Sequence, residues 1–352
     1  MTTLDHFRRA LISFRLLNAR GIKPTNFILC TLLNSCTQLL HLRFGLQIHA
    51  RILQTAWYQH NVFINTALVN MYAKSNLILD AKSVFDAMEQ HDHVSWTSII
   101  VAYAQNGHAI QAFSLFKQML LDTHIRPNSH TFATLITTAS VLLVHSQLEL
   151  PASLHAHVIK LGCHSNNCVV TSLIDSYSKC GEINLAVSLY RDTLHRDVIL
   201  LNSMIAAYSQ NQCGEQALTL FLEMQKQNIS PTHYTFSTIL NACATLALLP
   251  QGTQIHSFVT KLGSETSVFV ASSLIDMYSK CGSIDEARRI FDQLDHRNNI
   301  LWTSMITAYA QGGRGEDGLE LFDKLVKEQG MRPDNICLTA VLTACNHAGL
   351  VG

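Results

Sequence analysis

The sequence repeats itself, and that periodicity limits the possible folds more than any other property. Four of the six Pro, namely Pro24, Pro127, Pro231 and Pro333, stand in matching contexts: KPT, RPN, SPT and RPD. They lie about 103 residues apart. Other phrases keep the same beat. YSKCG begins at Tyr177 and again at Tyr278, with MYAKSN at Met71 as an earlier relative. SWTSII at Ser95 returns as LWTSMI at Leu301, with LNSMI at Leu201 between them, and His49, His155 and His256 recur in QIHA, SLHA and QIHS.

The long unit divides into three shorter ones, each with two helical stretches. Leu173, Ile174 and Tyr177 make one apolar face, Gly181 breaks the chain, and Ile183, Ala186, Val187 and Tyr190 follow at helical spacing. A second pair runs through Met204, Ile205 and Tyr208, then Ala217, Leu220, Phe221 and Met224, and ends at Pro231. A hairpin of about 31 to 38 residues cannot bury its own apolar face, so the hairpins must stack. The expected fold is all-α: a right-handed α-solenoid superhelix of helix-turn-helix repeats with a concave groove.

Composition agrees with extensive burial. Hydrophobic residues make up 48% of the chain and charged residues only 14%, against about 25% charged in an average globular chain, which excludes disorder. Lys and Arg number 25, as do Asp and Glu, so net charge names no partner. The ten Cys include no close pairs, so a disulfide scaffold is not expected. Polar residues interrupt every apolar run before it reaches about 18 residues, so no membrane span is expected.

The alternation of hairpin lengths, with phrases such as VSWTSIIVAYAQNG, IDMYSKCGSIDEARRIFD, LQIHARIL and TAVLTACNHAGLVG, resembles the plant pentatricopeptide-repeat family, PLS subclass. Aligned on these markers, S-type repeats are expected at 62–92, 167–197 and 268–298, and P-type repeats at 93–128, 198–232 and 299–334. L-type repeats fall at 26–61, 129–166 and 233–267, with a partial P-type repeat at 1–25 and a partial L-type repeat at 335–352. Both ends fall inside a repeat, and a fragment or truncated product with apolar end faces is a further expectation.

The resemblance implies that each repeat meets about one base of single-stranded RNA. It places base choice on the fifth and last residues of a repeat, here Thr66/Asp92, Thr97/Asn128, Thr171/Asp197, Asn202/Thr232, Ser272/Asn298 and Thr303/Asp334. All twelve are short side chains that form hydrogen bonds. Asp offers only acceptors, which suits the ring N–H of guanine or uracil, whereas Asn can donate to the bare ring nitrogen of adenine or cytosine. By resemblance, Thr or Ser at the fifth place selects purine and Asn selects pyrimidine. Read from the RNA 5′ end, the pairs spell n-G-A-n-G-Y-n-A-G, where n faces an L-type repeat and Asn202/Thr232 is a weak pyrimidine reader. The family also places Phe63, Val94, Ile199, Phe269 and Ile300, the second residues, as wedges that sandwich bases, with Cys168 as a smaller exception. Lys74, Lys179 and Lys280 recur at one S-repeat position, where they suit either phosphate contact or a solvated helix end.

Other signals have plainer readings. Cys163 and Cys168 near His155, His157 and His164 lack the close Cys pair of structural zinc sites. Cys36, Cys243 and Cys345 share one repeat position, and Cys180 and Cys281 another, which marks them as packing residues. The recurrent His49, His155 and His256 read as structural positions of the second helix of the L-type repeat, and Trp96 and Trp302 as core residues. The H-x-E and C-x-x-C elements of a zinc deaminase are missing from these residues, as are nucleophile triads, Walker loops and G-x-G-x-x-G. The expectation is therefore no enzyme, no cofactor, no metal, no small-molecule substrate and no membrane.

The resemblance implies an organellar RNA-binding protein, with a C-to-U editing specificity factor that recruits a deaminase-bearing partner in trans as the first reading. Transcript splicing or stability is the alternative within the same class, and a protein-binding solenoid scaffold is the alternative from another class. Mitochondrion is placed ahead of chloroplast at family level only. An amphipathic stretch bearing Arg8, Arg9, Arg15 and Arg20 could serve targeting but overlaps the first repeat.

Overall fold

A computed structural model describes residue 12 and residues 24–54, 61–122, 125–142, 149–327 and 332–347. The repeat expected over 1–25, with its arginine-bearing stretch, lies outside these apart from residues 12, 24 and 25; so does the end of the last repeat. Among the described residues the regular elements are helices, with no strand. The chain divides into two compact units, Met1–Ser176 and Tyr177–Gly352.

The first unit contains α1 (Asn26–Leu39), α2 (Leu42–Gln54), α3 (Val62–Lys74), α4 (Ile78–Asp86), α5 (His93–Gln105), α6 (Ala109–Leu121), α7 (Ser129–Leu142) and α8 (Glu149–Lys160). The unit boundary falls within α9 (Asn167–Lys179). The second unit continues with α10 (Ile183–Asp192), α11 (Val198–Gln210), α12 (Gly214–Lys226), α13 (His233–Thr245) and α14 (Leu249–Lys261). It ends with α15 (Val268–Lys280), α16 (Ile284–Gln293), α17 (Asn299–Gln311), α18 (Gly315–Lys327) and α19 (Asn335–His347). Odd-numbered helices pack on odd-numbered helices, α1 through α7 in one unit and α11 through α19 in the other, and each even-numbered helix lies against its hairpin partner or the next odd helix. Each unit is thus an all-α solenoid of stacked hairpins.

Burial explains the stacking. Odd helices are apolar around most of their girth: Ile64, Leu68 and Met71 of α3, and Val270, Leu274 and Ile275 of α15, are buried between neighbours. Even helices bury a narrower stripe centred on a small residue; Ala81, Ala112, Ala186, Ala217 and Ala287 have no exposed surface, which lets the backbones approach closely. The tryptophans are in the core. Trp96 meets Phe85, and Trp302 meets Phe291, edge-on with centroids 5.0 Å apart in each case.

The hairpin turns share one device. The N–H three residues after the last helical residue bonds back to the carbonyl of a tyrosine: His108 to Tyr103 at 2.9 Å, Glu182 to Tyr177 at 2.9 Å, Cys213 to Tyr208 at 2.8 Å and Ser283 to Tyr278 at 2.8 Å. The residue before it must take positive φ. Gly107, Gly181 and Gly282 supply it without strain, whereas Gln212 adopts φ 60° with a full side chain.

Two of the recurrent histidines tie an even helix to the odd helix that follows it. His49 Nδ1 lies 2.6 Å from Tyr72 Oη, and His256 Nδ1 lies 2.9 Å from Tyr278 Oη. Burial pushes the His49 imidazole below its ordinary range, with Asp80 partly opposing it, and burial also lowers His91 and His155.

Two outcomes are expected. Replacing Gln212→Gly relieves the left-handed strain and should stabilise the protein by about 0.5–1 kcal/mol, read as a higher melting temperature; a lower one would contradict this account of the turn. Because the buried histidines hold protons less tightly when folded than when unfolded, their stabilisation is complete above the unfolded value of about 6.5 and is lost as pH falls through the lower folded values. Thermal melts at pH 7.5 and 5.5 should show loss of stability on acidification, and a smaller loss in His49→Gln; pH-independent melting would contradict it.

Candidate nucleic-acid interface

Each odd helix begins alike: its second residue points into solvent. Phe63, Val94, Ile199, Phe269 and Ile300 all do so, and so do Phe27, His130, Cys168, Tyr234 and Ile336. Phe27 is 80% exposed, Phe63 73% and Phe269 68%. A single exposed aromatic is ordinary, but a bulky apolar residue at the same exposed place in helix after helix forms a row of platforms. Tyr234 and Phe27 fall where L-type repeats are expected, for which sequence reasoning assigned no reader or wedge. The same offset from the helix start would have found them.

The last-position residues are helix caps. Asp92 accepts from Ser95 N at 2.7 Å, Asn128 from Thr131 N at 2.9 Å, Asp197 from Leu200 N at 2.8 Å and Thr232 from Thr235 N at 3.3 Å. Asn298 accepts from Leu301 N at 3.2 Å and Asp334 from Cys337 N at 2.7 Å. Short polar residues are what a helix start requires. Half of the twelve-residue regularity therefore has a folding explanation without any ligand. In both Asp and Asn the cap uses Oδ1, so what differs at the remaining atom is an acceptor oxygen against a donor nitrogen.

The fifth-position side chains lie one turn further in. Thr66, Thr97, Asn202 and Thr303 are buried, and Thr171 and Ser272 are half-buried. Thr66 and Thr171 each place a buried hydroxyl with no hydrogen-bond partner, and Ser237, the fifth residue of a repeat expected to be L-type, does the same. Such orphans are rare in folded proteins and call for an explanation. Thr97 and Asn202 are instead held by neighbours: Thr97 Oγ1 lies 2.8 Å from Thr131 Oγ1, and Asn202 Nδ2 lies 3.2 Å from Thr232 Oγ1. Ser272 donates to the Phe269 carbonyl at 3.0 Å.

In the second unit a groove of about 600 Å³ runs over odd helices only, lined among others by Tyr234, Ser272, Ile300, Thr303, Asp334 and Ile336. It brings together wedge and reader positions of neighbouring repeats, and no Lys or Arg lines it. In the first unit a groove of about 470 Å³ is lined by His130, Thr134, Thr138, Cys168 and Ser172 but by none of the six reader pairs. The recurrent lysines are engaged within the chain: Lys74 Nζ donates to Gln105 Oε1 at 3.3 Å, and Lys280 pairs with Asp276 at 2.8 Å. Among the described residues, no three His, Cys, Asp or Glu converge as a metal ion would require, and no helix is long and apolar enough to cross a membrane.

Against known proteins, models of the PPR repeat family match residues 91–139 and 196–245, and models of the single PPR repeat match 66–93, 168–198, 269–298 and 300–329. Among curated relatives, a pentatricopeptide repeat-containing protein of Arabidopsis thaliana is 34% identical over 97% of this chain and 55% of its own length. A chloroplastic one from the same plant is 32% identical over 99% of this chain and 40% of its own. A mitochondrial one is 36% identical over 90% of this chain and 50% of its own. The chain therefore spans about half the length of the curated relatives it matches. Among solved structures, the pentatricopeptide repeat protein PPR10 in complex with an 18-nucleotide psaJ RNA element superposes with a TM-score of 0.68 at 15% identity, covering 96% of this chain and 56% of that one. With repeat models matching more than half of its residues, and with the solenoid fold to go with them, the chain belongs to the PPR repeat family.

Proposed function

We propose that this chain binds single-stranded RNA in a sequence-specific way through the face formed by its odd helices. The observation that carries the reading is the register of two features on that face: an exposed platform at the second residue of each odd helix, and beside it a buried hydroxyl or amide paired with a helix cap. Platforms at regular intervals suit unpaired bases, which stack on any flat or branched apolar surface. The groove of the second unit has Asp276 and Asp334 but no cation among its lining residues, so affinity must come from bases more than from phosphates. PPR10, whose fold is similar, was crystallised with an RNA element.

The finer reading is a PLS-subclass protein acting in an organelle as a specificity factor for C-to-U editing, with the deaminase supplied by a partner. Subclass resemblance supports editing; chloroplastic and mitochondrial relatives support an organelle without choosing one. Transcript sequencing in a plant lacking the protein separates the alternatives: unedited cytidines support editing, whereas unspliced or vanished transcripts would replace it with splicing or stability. Binding of a peptide but no RNA would instead favour the scaffold reading.

Five pairs end in Asp or Asn, and together they call for G, A, G, A and G at the second, third, fifth, eighth and ninth bases. A nine-base RNA carrying them should bind at least about tenfold more tightly than a shuffled one, since each mismatch costs about 1–3 kcal/mol; equal affinities in a gel-shift titration would refute the assignment. Asp197→Asn keeps a good helix cap, so the fold should persist while preference at the fifth base moves from G toward A. An unchanged preference would remove Asp197 from the reading set.

A further inference from the structure

One reader pair differs from the others in how its hydrogen bonds close. Asn202 sits on α11, Thr232 caps α13, and Thr235 lies three residues further on, in the following repeat and fully buried. Asn202 Nδ2 is 3.2 Å from Thr232 Oγ1, Thr232 Oγ1 is 3.0 Å from Thr235 Oγ1, and Thr235 Oγ1 is 2.6 Å from Asn202 Oδ1. These three contacts form a ring. The two backbone N–H groups of the capping box add to it, Thr235 N donating to Thr232 Oγ1 at 3.3 Å and Thr232 N to Thr235 Oγ1 at 2.9 Å.

A hydroxyl has one proton to give and two lone pairs to fill. Around this ring Asn202 donates to Thr232, Thr232 to Thr235, and Thr235 back to Asn202. Turning the amide over merely reverses the direction. In either sense both hydroxyl protons are spent inside the ring, and each hydroxyl oxygen accepts twice. Thr232 has nothing left to offer a base, and Asn202 keeps one N–H and one lone pair on a side chain only 7% exposed.

No other pair closes such a ring. Over 93–128, Thr131 occupies the place of Thr235 and lies 2.8 Å from Thr97 Oγ1, which also reaches the His93 carbonyl at 2.7 Å. Yet the N–H and hydroxyl of Thr131 both reach Asn128 Oδ1, at 2.9 and 3.0 Å, so Thr97 is engaged but the amide donors of Asn128 lie outside that cluster. Ser272 donates to the Phe269 carbonyl and not to Asn298. Over 62–92 and 167–197 the fifth-position hydroxyls of Thr66 and Thr171 have no partner at all, and apolar Leu200 stands in the matching third place after Asp197. Closure therefore needs Asn at the fifth place, Thr at the last, and Thr three residues later.

Resting on the RNA-binding function proposed above, we infer that the repeat over 198–232 reads no base, and that Thr235, a residue of the next repeat, is the positioning residue that silences it. The sixth base of the bound RNA is accepted whatever its identity. Thr235→Val keeps the shape of the side chain but breaks the ring at two points, returning the Thr232 proton and the Asn202 carbonyl to the groove.

The test uses the full chain and four nine-base RNAs identical except at the sixth base, followed by fluorescence anisotropy, with a parallel pair carrying G or A at the fifth base. The wild-type protein should bind the four within about twofold while preferring G at the fifth base by about fivefold or more. In Thr235→Val the fifth-base preference should persist, showing an intact fold, while the spread at the sixth base widens to about fivefold or more. A wild-type preference of that size at the sixth base would overturn the inference and leave the RNA-binding function standing. A folded Thr235→Val that stays indifferent at the sixth base would overturn the role of Thr235. If that variant does not fold, the wild-type series alone decides, with indifference supporting silence and a clear preference refuting it. Failure to bind any of these RNAs would remove the function and this inference together.

Discussion

The structure depends on the inability of a two-helix hairpin to bury its own apolar face. α3 is apolar on nearly all sides, and α4 hides only a stripe around Ala81 and Phe85, so the pair is stable only between neighbours. Stacking follows, and with it, within each unit, a succession of odd helices whose first turns each expose their second residue. Where a tyrosine anchors the turn it fixes the point at which the hairpin reverses, and the His49–Tyr72 and His256–Tyr278 contacts fasten an even helix to the odd helix of the next hairpin. Position along the row is thereby set by packing before any ligand arrives.

In the proposed reading of RNA, base choice is built from what capping leaves over. Helix starts require a short polar side chain, and Asp92, Asn128, Asn298 and Asp334 meet that need with one oxygen. The second polar atom of each is not needed by the fold, and its identity, oxygen or nitrogen, is the chemical variable that separates one repeat from another. A residue can thus change what it presents to RNA without a penalty at the helix start, because Asp and Asn cap equally well. Thr232 is the exception: its single hydroxyl must serve both cap and ligand, and Thr235 engages it.

Much of the fold was legible because it repeats. Gly181 ends a helix at positive φ as expected, Ile174 and Tyr177 are buried, and the tryptophans and recurrent histidines lie where helical spacing put them. The site was legible in part. The wedge residues are exposed in a row, but the sequence alone could not separate a base reader from a helix cap, since both call for Asp, Asn, Ser or Thr. Tyr234 and Ser237 went unassigned because they sit in a repeat expected to be L-type, although their offsets match those of the other repeats. The closure at Asn202 was invisible: it joins residues 33 positions apart through a side chain that belongs to the next repeat. Lys74 suited phosphate contact in the sequence, and only the packing brings Gln105, 31 residues away, to it; the Asp276–Lys280 pair, by contrast, follows from their spacing of four on one helix.

The central claim is that bases lie against the first turns of the odd helices with their edges toward the caps. A structure of the complex with the nine-base RNA tests it most directly. The account predicts each base seated between the second residues of consecutive odd helices, Ile300 and Ile336 for the last, with the Watson-Crick edges of the second, third, eighth and ninth bases within about 3 Å of the second polar atom of Asp92, Asn128, Asn298 and Asp334. RNA running instead along the even helices, or held by its phosphates with the bases turned to solvent, would contradict it.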